Sequence, residues 1–175
     1  MQRIDLSLTM SSLQPWRHSE ARFSPCGAYR YRLWRIWGEG EPQRRLCMIM
    51  LNPSTADEFK NDPTVERCCR RARMWGYDRL DVVNIFALRS TDPQGLYLCD
   101  DPVGEDNDAA ILEAAREADL AVAAWGNHGR LGGRGGHVLA MLKSAGVELH
   151  AFKLSQVGEP VHPLYQPYSA LPQPL

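Results

Sequence analysis

No stretch of this 175-residue chain has the roughly 18 consecutive apolar residues that a membrane-spanning helix needs. The opening segment, MQRIDLSLTMSSLQPW, also lacks the charged-then-apolar layout of a secretory signal. The expected setting is the cytoplasm, with no membrane partner. A surplus of one charge is missing too. Twenty Lys and Arg stand against 21 Asp and Glu, a net charge of -1, so any surface for nucleic acid has to be local. The five cysteines (Cys26, Cys47, Cys68, Cys69, Cys99) form no C-x-x-C pair and no clustered ligand set. They read as small hydrophobes in a reducing compartment, and neither a metal nor a cofactor is expected.

What is present is ordinary globular composition, 44% hydrophobic and 23% charged, in a length that suits one domain. The expected core is residues 28–168, flanked by an N-terminal extension and a Pro-rich C-terminal one, and a monomer is expected. AYRYRLWRIW (Ala28 to Trp37) alternates large apolar residues with Arg30, Arg32 and Arg35, which is strand periodicity. Those arginines read as a solvated strand face, the alternative being a functional basic stripe. RLCMIML, LDVVNIFAL (Leu80 to Leu88) and LAVAAWG are continuous apolar runs, as in strands covered on both faces. Helices are expected over Thr64–Trp75, Glu105–Ala118 and His137–Ser144, with a short strand in VELHAFK and an extended tail from Val157. Strand–helix alternation of this kind predicts an α/β three-layer sandwich around a mainly parallel sheet.

In open α/β sheets, ligands sit outside the carboxyl ends of the strands. Three expected strands end in polar punctuation there: Asn52-Pro53, Asn84 through Asp92, and Gly126-Asn127-His128. His162-Pro163 follows the last strand. These four segments are expected to converge on one site.

A strand ending in LNPS, a strand carrying VVNIFALRSTDP, a strand ending in AWG and a late HPLY resemble, in that order, the uracil-DNA glycosylase superfamily. The resemblance spans about residues 46–168. The fuller pattern, with LNPSTAD, NDPT and Asn107-Asp108, is similar to a widespread bacterial family of uncharacterised domains. Two positions depart from the superfamily: Met50 and Ser54 stand where glycosylases usually carry glycine. The four cysteines that hold a cluster in some branches have no counterparts, which implies a cluster-free branch.

The resemblance implies a uracil-DNA-glycosylase-like fold and roles for particular residues. Hydrolysing an N-glycosidic bond needs a water below the anomeric carbon and stabilisation of the departing, anionic base. Asn52 would position that water, or else simply close an Asx turn. Asp57 is the candidate general base, while Asp62 in Asn-Asp-Pro-Thr reads as a helix start. His162 would face the leaving base's carbonyl oxygen, and Asn84 would read the base's hydrogen-bonding edge. Leu164 and Tyr165 would fill the gap left by a flipped base, unless they are tail packing. Gly126 to His137, GNHGRLGGRGGH, offers Asn127, His128, Arg130 and Arg134 to phosphate, or is a flexible loop.

With no lysine in these motifs, Schiff-base strand cleavage is not expected, and the product would be an abasic site. Uracil-specific members of the superfamily place an aromatic ring just after the catalytic motif. Here Ser54, Thr55 and Ala56 occupy that stretch, with no aromatic before Phe59. The space, with Ser54, Thr55 and Asp57 as polar partners, suits a bulky 5-substituent such as hydroxymethyl or glucosyl-hydroxymethyl. The expected substrate is therefore phage DNA with hypermodified cytosine, excised as antiviral defence. Repair of a damaged pyrimidine, hydrolysis of free nucleotides and non-catalytic nucleic-acid binding are the alternatives.

Overall fold

The computed structural model describes residues 16–175, so most of the opening segment read above for targeting lies outside the described residues. Among them, seven strands form one mixed sheet: β1 (His18–Phe23), β2 (Arg30–Ile36), β3 (Arg45–Met50), β4 (Arg79–Asn84), β5 (Leu120–Ala123), β6 (Leu149–Ala151) and β7 (Gln173–Pro174). The spatial order is β1-β2-β4-β3-β5-β6-β7. Pairing is parallel from β4 through β3 and β5 to β6, and antiparallel for β1–β2, β2–β4 and β6–β7. The sheet is thus parallel at its centre and antiparallel at both edges.

Helices cover both faces: α1 (Pro63–Met74), α2 (Gln94–Leu98), α3 (Asn107–Glu117) and α4 (Arg134–Ser144). Successive residues of β3 divide between two apolar clusters. Cys47 and Ile49 pack with Ile111 and Ala114 of α3 and with Val138 and Leu142 of α4. Leu46, Met48 and Met50 pack with Val65, Cys68, Cys69 and Ala72 of α1. Burial on both sides explains why β3 reads as one apolar run instead of an alternating strand.

β3 runs through α1 into β4 on one side, and β4 returns through α3 to β5 on β3's other side. The chain reverses its lateral direction there, and the crevice outside the carboxyl ends of β3 and β5 opens at that point. α1 begins with Asp62, whose carboxylate accepts from Val65 N at 2.8 Å, and with Pro63 in the first turn. Such a cap contributes about 1 kcal/mol.

β4 ends at Asn84, four residues short of the expected boundary at Leu88. The apolar run continues as buried loop. Its amides still find carbonyls, Ile85 N at Met50 O and Phe86 N at Leu51 O, both 2.9 Å. Its own carbonyls are taken by side chains: Asn107 Nδ2 donates to Asn84 O (2.8 Å) and Ile85 O (3.1 Å), and Arg134 Nε donates to Ile85 O (2.7 Å). Apolar content alone could not mark where the ladder stops.

The arginines of β2 overturn the solvated-face reading. Arg30, Arg32 and Arg35 are all buried. Arg32 pairs with Asp81 at 2.8 Å and with Glu117 at 2.7 Å. Arg35 donates to the Asn61 amide oxygen and the Asp57 carbonyl, with its guanidinium over the Trp16 ring at 4.1 Å. Arg30 donates from Nη1 to Ala56 O at 2.7 Å. Two arginines of β2 therefore clamp the loop between Asn52 and Asn61, which has almost no ladder of its own.

Candidate functional site

One cavity of about 790 Å³ opens at the carboxyl ends of the parallel strands. Residues from all four polar segments line it: Asn52, Asn84, His128 and His162, together with Ser90 and Asp62. Its size lies within the range of small-molecule and base-sized sites.

Asn52 follows β3 directly. Its amide nitrogen donates to Pro53 O at 3.0 Å and to Ser90 O at 2.8 Å. Two carbonyls fix which end of the amide is nitrogen, and Oδ1 has no partner among the described residues. Asn52 is thus more than an Asx turn: it offers a free acceptor at a cavity wall.

His162 arrives from the C-terminal segment. Gly126 N donates to Pro160 O at 2.7 Å and Val161 N to Lys153 O at 3.1 Å, which seats this segment beside the ends of β5 and β6. Arg67 and Arg71 of α1 hold it from the other side by donating to Gln166 O at 2.6 and 2.7 Å. His162 Nδ1 accepts from Leu164 N at 3.3 Å, so the neutral ring carries its proton on Nε2. Burial pushes its pKa below the usual histidine value, against a smaller pull upward from Asp62. The arrangement favours a neutral N–H donor.

Asn84 closes the bottom of the cavity and is 1% exposed. Its Oδ1 accepts from Arg30 Nη2 at 3.3 Å, and its Nδ2 has no partner among the described residues. Arg30, equally buried, lines the same floor. Arg30 was not among the residues expected at the site. Its only sequence signal is an Arg inside a strand rich in Tyr, Leu and Trp, the same pattern a half-solvated strand produces.

Ser54 and Thr55 line the cavity, as does Asn127, whose Oδ1 accepts from Ser155 Oγ at 2.7 Å. His128 Nδ1 lies 2.9 Å from the Tyr97 hydroxyl. Leu164 and Tyr165 stand at the mouth, with Tyr165 80% exposed and its ring 6.1 Å from that of His162. Phe59, the first aromatic after the Asn-Pro motif, is exposed and outside the lining.

Three expected site residues lie elsewhere. Asp57 lies outside the lining, and its Oδ1 accepts from Phe59 N and Lys60 N at 2.9 Å each, so its carboxylate is tied to its own loop. Asp62 caps α1 as expected, yet it is also the one carboxylate among the lining residues. Arg134 is buried and committed inward, to Asp108 at 2.5 Å and to Ile85 O, so it cannot serve phosphate. Arg130 is exposed, outside the lining, and without a hydrogen-bond partner among the described residues. Nor do the glycines around it form a phosphate cradle as such. A Cβ on Gly129 would come within 2.1 Å of the Trp125 ring, and one on Gly135 within 2.8 Å, so both are glycine to seat the buried Trp125.

The family profile described as a protein of unknown function, DUF1643, matches residues 30–164, well over half of the chain. The chain belongs to the DUF1643 family. Comparison with curated proteins and with solved structures gives no match. The matched DUF1643 span begins at Arg30, on the cavity floor, and ends at Leu164, at its mouth. No three of its His, Cys, Asp or Glu side chains converge as a metal set among the described residues.

Proposed function

We propose that this DUF1643 protein is a monofunctional DNA glycosylase related to the uracil-DNA glycosylase superfamily, acting on a modified pyrimidine. The observation that carries the reading is the pairing of a free Asn52 Oδ1 with a neutral His162 on one cavity at the strand ends. The parallel strands, in the order β4-β3-β5-β6 with β3 at the centre of the sheet, are compatible with such a fold.

In this reading Asn52 Oδ1 accepts a hydrogen bond from the water and aims it at the anomeric carbon. The water oxygen bonds to that carbon as the glycosidic bond breaks, and its proton passes to the Asp62 carboxylate. The bonding electrons leave with the base, and His162 Nε2–H stabilises the resulting anion at the base's carbonyl oxygen. The base takes up a proton from solvent on release, leaving an abasic site. Exposed Tyr165 and half-buried Leu164 would fill the stack behind a flipped nucleotide. Ser54 and Thr55, with no aromatic beside them, leave room for a bulky polar 5-substituent. The substrate proposed is hydroxymethylated or glucosylated cytosine in phage DNA, and the role antiviral defence.

The inward commitment of Arg134 favours one second reading, a hydrolase of free nucleotides, because it removes a phosphate contact that polymer binding would use. Incubation with DNAs carrying modified pyrimidines, followed by alkali, separates the two. Alkali-labile sites that vanish in Asn52→Ala support the glycosylase. Cleavage of nucleotides with DNA untouched would replace it.

A further inference from the structure

The floor of the cavity holds two buried groups whose polar atoms are incompletely used. Arg30 and Asn84 are each 1% exposed, and both line the cavity. Arg30 has no carboxylate partner within ion-pair distance among the described residues, and its Nε is unpartnered. Asn84 Nδ2 is unpartnered as well. Buried donors left unsatisfied are costly, so their presence at a cavity floor points to a ligand that completes them.

The direction of the Arg30–Asn84 contact decides what kind of ligand. A guanidinium has donors only, so it accepts nothing and can engage the amide only through Oδ1. Rotating Asn84 by a half-turn would set its NH2 against the Arg30 Nη2–H, 3.3 Å away in the observed pairing. Asn84 therefore cannot present its oxygen to the cavity while Arg30 is in place. Burial lowers the Arg30 pKa to about 10, which still leaves it charged and donating at neutral pH. The backbone around Asn84 is fixed too, since Asn107 Nδ2 holds Asn84 O and Ile85 O, and Arg134 holds Ile85 O.

We infer that Arg30 is a specificity-determining residue: by occupying Asn84 Oδ1 it turns the floor into a donor-only surface that selects a cytosine-type edge over a uracil-type edge. This rests on the base-excision reading above and deepens it. Cytosine presents two adjacent acceptors, N3 and O2. Uracil and thymine interrupt their acceptors with an N3–H donor, which would meet the donor of Asn84 head-on. An amide free to turn would read either base; one pinned by a cation reads only the first. The positive charge of Arg30 below the base also favours its departure as an anion, whichever substituent it carries at carbon 5.

The test uses binding of two free bases that share the 5-substituent, 5-hydroxymethylcytosine and 5-hydroxymethyluracil, followed by titration calorimetry. The wild-type protein is expected to favour the cytosine form by about 30-fold, the scale of one mispaired buried donor. Asn84→Asp keeps the shape and the contact to Arg30 but places an acceptor in the cavity, so the preference should invert. Arg30→Met releases the amide, so the preference should fall toward unity. A merely structural role for either residue would change stability without reversing the order of the two bases. Equal binding, a uracil preference, or binding of neither base by the wild-type protein overturns the inference. A cytosine preference without abasic-site formation on DNA leaves the inference standing and removes the glycosylase reading instead.

Discussion

Asn52 and Ser90, 38 residues apart, are joined by a 2.8 Å hydrogen bond from the amide nitrogen to the backbone carbonyl. With Pro53 O as the second acceptor, both amide hydrogens are used on protein and the oxygen is left for the cavity. Replacing Asn52 by alanine removes the proposed holder of the water and none of the surface contacts. Single-turnover excision is expected to fall by about 100-fold or more, with DNA affinity within a few-fold of wild type. Wild-type turnover in Asn52→Ala would show that the water is held elsewhere.

Asp57 and Asp62 make opposite predictions. Asp57→Ala removes the acceptor of two loop amides and should disturb stability more than chemistry. Asp62→Asn keeps a good helix cap, because asparagine caps as well as aspartate, but it removes the proposed proton acceptor. Its melting temperature should stay within about 2 °C of wild type, from the small change in capping energy. Its turnover should drop at least about tenfold. If Asp57→Ala is the inactive variant and Asp62→Asn the active one, the two assignments must be exchanged.

The sequence was most informative where hydrophobic burial dictates the pattern. The runs at Leu46–Met50, Leu80–Asn84 and Leu120–Ala123 are strands because both faces are covered, and polar residues at their ends mark the crevice. The ordered Asn52, Asn84, His128 and His162 segments share one cavity for that reason. Charges were harder to read. A strand alternating apolar residues with arginine looks the same whether the arginines meet water or, as Arg30 and Arg35 do, a loop that needs donors for its carbonyls. Asp57 and Arg134 failed similarly, since their partners (nearby loop amides, and Asp108 on a different helix) exist only once the chain is folded. β1 and α2 were missed altogether. β1 alternates exposed and half-buried residues without a strong apolar face, and α2 is a single short turn.

A pH profile tests the protonation state of His162. Burial holds its folded pKa below the unfolded value of about 6.5, so the unfolded chain binds the proton more readily in mildly acid solution. This group therefore lowers stability as pH falls through about 6.5 and has no effect well above it. Excision that depends on neutral His162 should be flat from pH 7 to 8 and fall only below about 6.5, on the acid limb. His162→Gln, which keeps a donor that does not titrate, should flatten that limb. A rate that rises as pH falls through 6 would mean the imidazolium is the working form.

Arg130 and Arg134 should separate cleanly. Arg134→Ala strips the donor from Ile85 O and the partner from Asp108, at about 1–3 kcal/mol, and should lower the melting temperature by about 5 °C. Arg130→Ala should leave the melting temperature unchanged, because Arg130 is exposed and without a hydrogen-bond partner among the described residues. If the loop touches the DNA backbone, Arg130→Ala weakens binding and reduces the magnitude of the salt slope by about one. Thermal melts alongside salt-dependent binding distinguish these outcomes.

The activity proposed for this cavity is excision of a cytosine carrying a bulky 5-substituent. The most direct measurement compares alkali-revealed abasic sites on three DNAs of one sequence, containing glucosyl-hydroxymethylcytosine, unmodified cytosine or uracil. Abasic sites are expected in the glucosylated DNA, with none in the unmodified DNA, few in the uracil DNA, and loss of the signal in Asn52→Ala. Robust excision of uracil with the glucosylated DNA left intact would contradict it.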